Sequence, residues 1–179
     1  DEQAKEATSC LKSKTIKKGA VLLSPGDLRS DNYFINEGLL RYFSIDEKGK
    51  EHIIQFAPEN WMISDRNSSV FNEASVFYID AIENTEALIV PSHFFADIQK
   101  LLPHILELNI LMLHNSIRFM QKRINMLLSA TAEERYLDFI KLYPNLTLRV
   151  PQWMIASYLG ITPESLSRVR KDLAKKHFK

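Results

Sequence analysis

Cysteine is nearly absent from this 179-residue sequence, in which it occurs only at Cys10. A single cysteine cannot form an intrachain disulfide, a cysteine-based zinc site or an iron-sulfur cluster ligated within one chain. Long hydrophobic runs are also missing, because no apolar stretch approaches the roughly 20 residues that span a bilayer. The polar start Asp1–Lys5 does not resemble a secretory signal, and its abruptness fits a chain without its natural N-terminus. We therefore predict a cytoplasmic protein with no membrane partner.

The charge is distributed unevenly along the chain. Arg149 to Lys179 contains seven basic and two acidic residues, whereas the first 148 residues contain sixteen basic and twenty acidic ones. A basic tail on an acidic body is typical of a protein with a polyanionic partner at one end, and a solvated helix terminus is the alternative. The composition, 45 % apolar and 25 % charged, indicates a globular chain with a core.

Short strands separated by turns are predicted between Lys17 and Val90. Ser24–Asp27 is a turn sequence, because its proline presets φ and its glycine accepts positive φ. Asp46–Lys50 has the composition of a hairpin turn. The predicted strands are 20–23, 33–36, 39–45, 52–57, 75–81 and 87–90. Many short, evenly spaced strands favour a small antiparallel barrel or roll.

A long helix is predicted after Pro103, because residues 94–143 contain no glycine and their apolar residues recur at spacings of three and four. Such an apolar helix has to be covered, and the sheet domain can bury only part of it. We therefore expect a second copy of the helix to cover it in a parallel homodimer, with packing inside one chain as the alternative. The predicted dimerisation positions are Ile105, Leu108, Met112, Asn115 and Phe119.

The next helix has a clear start and a clear end in the sequence. Thr131 and Glu134 fit a capping box, in which each side chain binds the backbone N–H of the other residue. Pro144 disfavours helical geometry at the residue before it. The spacing therefore predicts a helix that begins near Ala132 and ends before Pro144.

The C-terminal part of the chain carries the most informative pattern. Pro151 stands where a helix can start, and Gly160 stands where a helix ends in a left-handed conformation. Thr162 can cap a second helix that has Pro163 at its first position. Two helices joined by so short a turn cross steeply, and Ala156 supplies the small residue needed at the crossing. This pattern indicates a DNA-binding helix-turn-helix, with an ordinary amphipathic surface helix as the alternative.

The second helix of this motif has one polar side. Residues 164, 168, 171 and 175 are spaced by four, three and four, so their side chains point the same way. An α-helix fits the DNA major groove, where arginine binds guanine and glutamate accepts a hydrogen bond from cytosine. We therefore assign base reading to Glu164 and Arg168. Phosphate contacts, which position a protein without specifying sequence, are assigned to Thr162, Ser165, Ser167, Lys171 and Lys175.

The sequence resembles the Crp/Fnr family of transcriptional regulators over nearly its whole length. The resemblance rests on residues 17–27, 33–38 and 81–85 near the N-terminus, and on 155–164 with Ser167 and Arg168 near the C-terminus. It implies an α+β fold with an N-terminal antiparallel β-roll, which is a double-stranded β-helix of the cyclic-nucleotide-binding type. A long dimerisation helix and a helix-turn-helix follow in this family.

The resemblance also implies where the domains begin and end and which residues contact DNA bases. We expect a sensor domain at 1–97, a dimerisation helix and hinge at 98–129, and a DNA-binding domain at 130–179. Only six residues follow Leu173, so little or no wing is expected. Glu164 and Arg168 match the family's base-reading residues, whereas Pro163 replaces its first arginine. The target sequence should therefore differ from that of other members.

Family members that bind cyclic AMP use a Gly-Glu pair and an Arg-Ser pair. The first pair aligns with Ser64 and Asp65, and the phosphate-binding arginine aligns with Ser75. Without that arginine the cyclic phosphate loses a charge-assisted partner, unless Arg66 replaces it. We therefore expect no binding of cyclic AMP, and an unknown small-molecule effector is assigned to a pocket of Ser64, Asp65, Arg66 and Ser75.

Two other functions are alternatives to this one. A metal-dependent β-barrel enzyme needs several histidines and a carboxylate, but His52 is nearly alone in the strand region, so no catalysis, metal or cofactor is expected. His104 and His114 lie on the long helix, where we expect dimer packing or contact with solvent rather than contact with a haem. A small-molecule-binding signalling module of the same fold without DNA binding is the second alternative. The expected partners are double-stranded DNA, a second copy of the chain, an unknown effector and RNA polymerase.

Overall fold

The computed structural model describes residues 11–28, 31–99 and 102–177, so Cys10 lies outside the described residues. The chain divides into two compact units, one ending at Leu113 and the other starting at His114. The first unit contains the strands and the second is helical. The boundary between the units lies inside one long helix.

The first unit is built on two antiparallel four-stranded sheets. Strand order is β1-β8-β3-β6 in one sheet and β2-β7-β4-β5 in the other. The strands are β1 Lys12–Ile16, β2 Val21–Leu23, β3 Asn32–Glu37, β4 Leu40–Ile45, β5 Glu51–Ala57, β6 Met62–Ile63, β7 Tyr78–Ala81 and β8 Thr85–Val90. This arrangement is the predicted antiparallel β-roll, and the α+β fold is confirmed.

Apolar side chains from both sheets fill the interior of the roll. Ile35, Leu40, Ile79 and Ala87 have no exposed surface. In β3 the side chains of Tyr33 and Ile35 are buried and their neighbours are half-buried or exposed, which is the period-two pattern of a strand that covers a core. Burial of this apolar surface is the main force that holds the two sheets together.

The turn between β3 and β4 requires glycine. Gly38 has a φ of 102°. A Cβ atom built at this position would lie 2.5 Å from the carbonyl oxygen of Asn84 and 2.5 Å from the hydroxyl of Thr85. Both the backbone conformation and the space therefore exclude a side chain.

The strand predictions hold for most of the roll and fail at three places. β1 starts before Lys17 and β6 has only two residues, so both strands are absent from the prediction. The strand predicted from Ser75 begins instead at Tyr78. The backbone of Ser75 pairs with the preceding turn, because its N–H donates to Asp27 and its carbonyl accepts from Gly26, both at 2.9 Å.

Two short helices lie among the described residues of the first unit. α1 (Arg66–Val70) lies between β6 and β7, and α2 (Phe94–Ile98) follows β8. The buried residues Phe94 and Ile98 of α2 form a small apolar cluster with Val90, and Ile105 packs against it.

Five helices follow: α3 Ile105–Ser129, α4 Ala132–Leu142, α5 Leu146–Arg149, α6 Gln152–Leu159 and α7 Pro163–His177. α3 has 25 residues, so the long helix predicted after Pro103 is confirmed. None of the described helices is long and apolar enough to cross a membrane. The core of the second unit includes Phe139, Tyr143 and Tyr158, whose ring centroids lie 5.3 to 5.7 Å apart.

The predicted capping box at the start of α4 is confirmed. The Thr131 hydroxyl accepts a hydrogen bond from the Glu134 N–H at 3.2 Å, and the Glu134 carboxylate accepts one from the Thr131 N–H at 2.8 Å. The hydrogen bonds that the Thr131 N–H and hydroxyl donate to the carboxylate lower the pKa of Glu134. α4 ends at Leu142, two residues before Pro144, as expected.

Candidate nucleic-acid interface

The turn between α6 and α7 has the geometry that its sequence predicts. Gly160 is left-handed, with φ 65° and ψ 35°, and its N–H donates to the carbonyl of Ser157. The N–H of Ile161 reaches back to the carbonyl of Ala156 at 3.0 Å. The Thr162 hydroxyl then accepts from the Ser165 N–H at 3.2 Å and so caps α7. The two helices therefore form a helix-turn-helix.

Apolar side chains hold α7 against the rest of this unit. Leu166 is fully buried, and Ile155 and Leu159 of α6 are each 2 % exposed. Ala156 is buried, and Val169 is half-buried. The inner face of α7 is thus fixed by packing, which leaves its opposite face for a partner.

The outer face of α7 carries the polar residues that the sequence assigns to DNA. Glu164, Arg168, Lys171 and Lys175 are all exposed. Their shared direction follows from the helical spacing, and three of the four carry positive charge. A helix with a cationic outer face and an apolar inner face has the shape and charge that the major groove accepts.

The predicted phosphate ligands are also placed near this face. Ser167 and Thr162 are exposed, whereas Ser165 is half-buried. The hydroxyls of Thr162 and Ser165 lie 3.2 Å apart and bind each other at the helix cap. A phosphate contact by either residue would therefore be added to a capping role.

The start of α7 affects the charge state of Glu164. A hydrogen bond from its own backbone N–H and another from Thr162 lower the pKa of this carboxyl group. Its position in the first helical turn also favours negative charge. Glu164 is therefore ionised at neutral pH, the state that accepts a hydrogen bond from the amino group of cytosine.

The far end of α7 is anchored by a contact that the sequence analysis missed. The Lys176 ammonium lies 2.7 Å from the carboxylate of Glu133, at the start of α4. The two residues are 43 positions apart, so no local pattern reveals the pair. Lys176 thus holds α7 to its neighbour, although its charge also belongs to the basic tail.

The predicted dimerisation positions differ in exposure. Leu108, Met112 and Asn115 are exposed, whereas Ile105 and Phe119 are half-buried. Ile105 packs against the α2 cluster of its own chain, and Phe119 lines a cleft in the second unit. The exposed apolar residues of α3 are Leu106, Leu108, Ile110, Leu111, Met112, Leu113, Ile117, Met120, Ile124, Leu127 and Leu128.

Two of the predicted effector-binding residues are bonded within the roll. Asp65 is 2 % exposed, and its carboxylate accepts hydrogen bonds from the Ser68 N–H, the Ser68 hydroxyl and the Tyr42 hydroxyl. Ser75 is equally buried, and its hydroxyl accepts from the Phe77 N–H at 3.0 Å.

The remaining two effector positions are more open, since Ser64 is half-buried and Arg66 is exposed. Tyr42, which the sequence analysis did not select, packs against Phe77 with the rings tilted and their centroids 4.7 Å apart. Its burial and its bond to Asp65 raise the pKa of its hydroxyl, so Tyr42 remains a donor. No local sequence pattern distinguishes Tyr42 from the other aromatic residues of the roll.

The histidine in the strand region has a structural contact. His52 lies beside Asp46 across the hairpin, with the ring nitrogen 2.8 Å from the carboxylate. Asp46 also accepts hydrogen bonds from the N–H groups of Lys48 and Lys50. Across the described ranges, no three His, Cys, Asp or Glu residues are grouped so as to hold a metal ion.

An antiparallel roll followed by a long helix and a helix-turn-helix defines the architectural class of this chain. Residues 13–100 match the family model described as the cyclic nucleotide-binding domain. A similar solved structure is that of FixK2 from Bradyrhizobium japonicum, with a TM-score of 0.77 and 17 % identity. The similarity covers 93 % of this chain and 86 % of that one.

Similar proteins include an anaerobic regulatory protein of Pasteurella multocida and the transcriptional activator protein FnrA of Stutzerimonas stutzeri, each 26 % identical. The matches cover 92 % of this chain and 63 % of the first protein, and 88 % of this chain and 68 % of the second. This chain is thus similar to an anaerobic regulatory protein and to FnrA along most of its own length. It spans less than two thirds of the length of the Pasteurella protein.

Proposed function

We propose that this chain is a DNA-binding transcriptional regulator of the Crp/Fnr type that works in the cytoplasm as a homodimer. Its helix-turn-helix would bind one half of a palindromic site, and the second copy would bind the other half. The names of its relatives, a regulatory protein and a transcriptional activator, support this function. RNA polymerase is the further partner that such a regulator would contact.

The observation that carries the proposal is the division of α7 into two faces. Leu166 is fully buried on one face, while Glu164 and Arg168 are exposed on the other. An amphipathic helix with only a structural role needs no particular charge on its outer side, but this face is rich in cations. Its N-terminal half would enter the major groove, because that half carries the two base-reading residues.

Base reading and anchoring are assigned to different residues of this face. Arg168 would donate two hydrogen bonds to one guanine, and Glu164 would accept one from cytosine. Lys171 and Lys175 would bind phosphates, together with Thr162, Ser165 and Ser167.

Dimerisation is proposed through α3. The middle of this helix exposes a run of large apolar side chains, and water contact with so many is unfavourable. A second α3 packed alongside would cover them and place two copies of α7 on one side of the duplex. In this proposal residues 1–97 form the sensor domain, residues 98–129 the dimerisation helix and hinge, and residues 130–179 the DNA-binding domain.

The roll is proposed to bind an effector other than cyclic AMP. Ser75 stands where the phosphate-binding arginine is expected, and it is buried and hydrogen-bonded to Phe77. Asp65 already accepts three hydrogen bonds from its own chain. A cyclic nucleotide would therefore find neither the cation nor a free carboxylate at these positions.

Selection of bound sites from random duplex DNA tests the proposed function. We expect recovery of a palindrome whose half-sites are about one helical turn apart. Arg168→Ala should change the recovered sequence at one position in each half-site. Recovery of unrelated sequences, or no retention of duplex at low ionic strength, would contradict the proposal and favour a signalling module that does not bind DNA.

A further inference from the structure

Two arginines bind the C-terminal end of α6, just before the turn into α7. Arg123 of α3 donates a hydrogen bond to the carbonyl of Tyr158 at 2.9 Å. Arg135 of α4 donates one to the carbonyl of Leu159 at 2.8 Å. The last carbonyls of a helix lack partners within the helix and carry its partial negative charge, so a guanidinium is well suited to bind them.

Arg123 makes a second contact with the same residue. Its guanidinium lies 3.6 Å from the centroid of the Tyr158 ring, as in a cation–π interaction. Tyr158 is 5 % exposed and packs against Phe139 and Tyr143 in the core. Arg123 therefore binds both the backbone and the side chain of Tyr158, a buried residue in the first helix of the helix-turn-helix.

The two arginines come from helices with different roles. Arg135 belongs to α4, which packs directly with α6 and α7, so its bond is internal to the DNA-reading helices. Arg123 belongs to the last two turns of α3, the helix that we assign to the dimer interface. Lys122, next to Arg123, forms an ion pair with Asp138 of α4 and adds a second link from α3.

We propose that Arg123 is a positioning residue that sets the direction of α7 relative to α3. This inference rests on the proposed function. A dimer binds a palindrome tightly only when both copies of α7 reach their half-sites at once, because the second contact is then intramolecular. A single half-site requires no such alignment. Loss of Arg123 should therefore weaken binding to the palindrome far more than binding to one half-site.

The experiment measures the affinity of the full chain for a palindromic duplex and for a duplex with one half-site. The variants are Arg123→Gln, Arg123→Lys and, as the matched control, Arg135→Gln. We expect Arg123→Gln to reduce the preference for the palindrome by about tenfold, with the half-site affinity nearly unchanged. Arg135→Gln should weaken both duplexes by the same factor, because its bond lies inside the reading unit.

Arg123→Lys separates the contacts of the guanidinium. Lysine keeps a cation that can donate to the Tyr158 carbonyl, but it loses the flat group that lies on the ring. We expect a partial loss of the palindrome preference, between those of Arg123→Gln and the unaltered chain. Circular dichroism and sedimentation should show that all variants are folded and dimeric, since the Arg123 contacts are within one chain.

The outcomes distinguish this inference from the proposed function. If the unaltered chain binds neither duplex, both the inference about Arg123 and the proposed function are wrong. If it prefers the palindrome and Arg123→Gln weakens both duplexes equally, Arg123 has only a structural role and the inference is overturned while the function stands. A monomeric Arg123→Gln variant would overturn it as well, because Arg123 would then hold the dimer rather than direct α7.

Discussion

The β-roll and the helix-turn-helix use charge in opposite ways. In the roll, Arg41 and Asp65 are buried and bonded to other residues of the same chain. On α7, Glu164 and Arg168 are exposed and spaced along one side of a helix. A buried charge must be paired within the fold, whereas a regularly spaced, exposed row remains available to another molecule. The same residue types thus support structure in one region and, in the proposed function, bind DNA in the other.

The buried network around Arg41 illustrates the structural use. Its guanidinium binds both oxygens of Asp80, at 2.7 and 2.8 Å, and also binds Glu51. Burial alone lowers the pKa of Arg41, but the hydrogen bonds to Asp80 and Glu51 outweigh that effect and raise it. The guanidinium also lies 4.0 Å from the ring centroid of Phe43. Three strands, β4, β5 and β7, are joined by this one side chain.

The largest effect on stability is expected from Asp80→Ala. The change leaves the buried Arg41 without its bidentate partner, and loss of one member of a buried pair costs about 4 kcal/mol. Urea unfolding of the roll measures the loss. His52→Ala, which breaks an exposed contact with Asp46 and leaves the hydrogen bonds of the turn in place, is the control and should hardly move the transition. Equal effects of the two changes would contradict the contrast between buried and exposed charge.

Leu166→Ala is expected to lower the free energy of unfolding by about 3 kcal/mol, because it leaves a cavity under α7. The measurement is thermal unfolding followed by helical circular dichroism, with Ser167→Ala as the exposed control on the same helix. DNA binding should weaken for every sequence, since the whole helix loses its support. A stable variant with altered sequence preference would show that Leu166 faces the DNA instead.

Arg168→Ala should reduce the affinity for the selected site by about 2 kcal/mol and relax the preference at one base position. The measurement is a titration of the preferred duplex and of duplexes substituted at each position. An equal loss on all of these duplexes would show that Arg168 anchors the backbone and does not read a base.

Lys171→Ala should have the smallest effect and a different signature. All duplexes should lose affinity by a similar factor, and the slope of log affinity against log salt should flatten by about 1, since one phosphate contact disappears. Titrations at several salt concentrations give both quantities. A base-specific loss of affinity with an unchanged slope would show that Lys171 reads a base, the role assigned to Arg168.

The sequence predicts local features well because their chemistry is local. The capping box of Thr131 and Glu134, the left-handed Gly160 and the Thr162 cap each depend on a few neighbouring residues. The two faces of α7 follow from its helical period. These features account for most of the candidate site, because its residues are neighbours along the chain.

Contacts between distant residues could not be predicted in this way. Arg41 and Asp80 are 39 positions apart, and Arg123 and Tyr158 are 35 apart. β6 is recognisable only through its pairing with β3, because two residues show no periodicity. The bond between Tyr42 and Asp65 likewise depends on how the strands fold over each other.

The close approach at Gly38 has a practical consequence for protein engineering. Because the turn before β4 touches the turn before β8 with no room for a methyl group, a mutagenesis library at these two turns should yield few folded variants. The Asp46–Lys50 hairpin is different, since its residues are exposed and Gly49 faces open space. A fluorescent label or an affinity tag for the binding experiments is therefore best inserted at that hairpin.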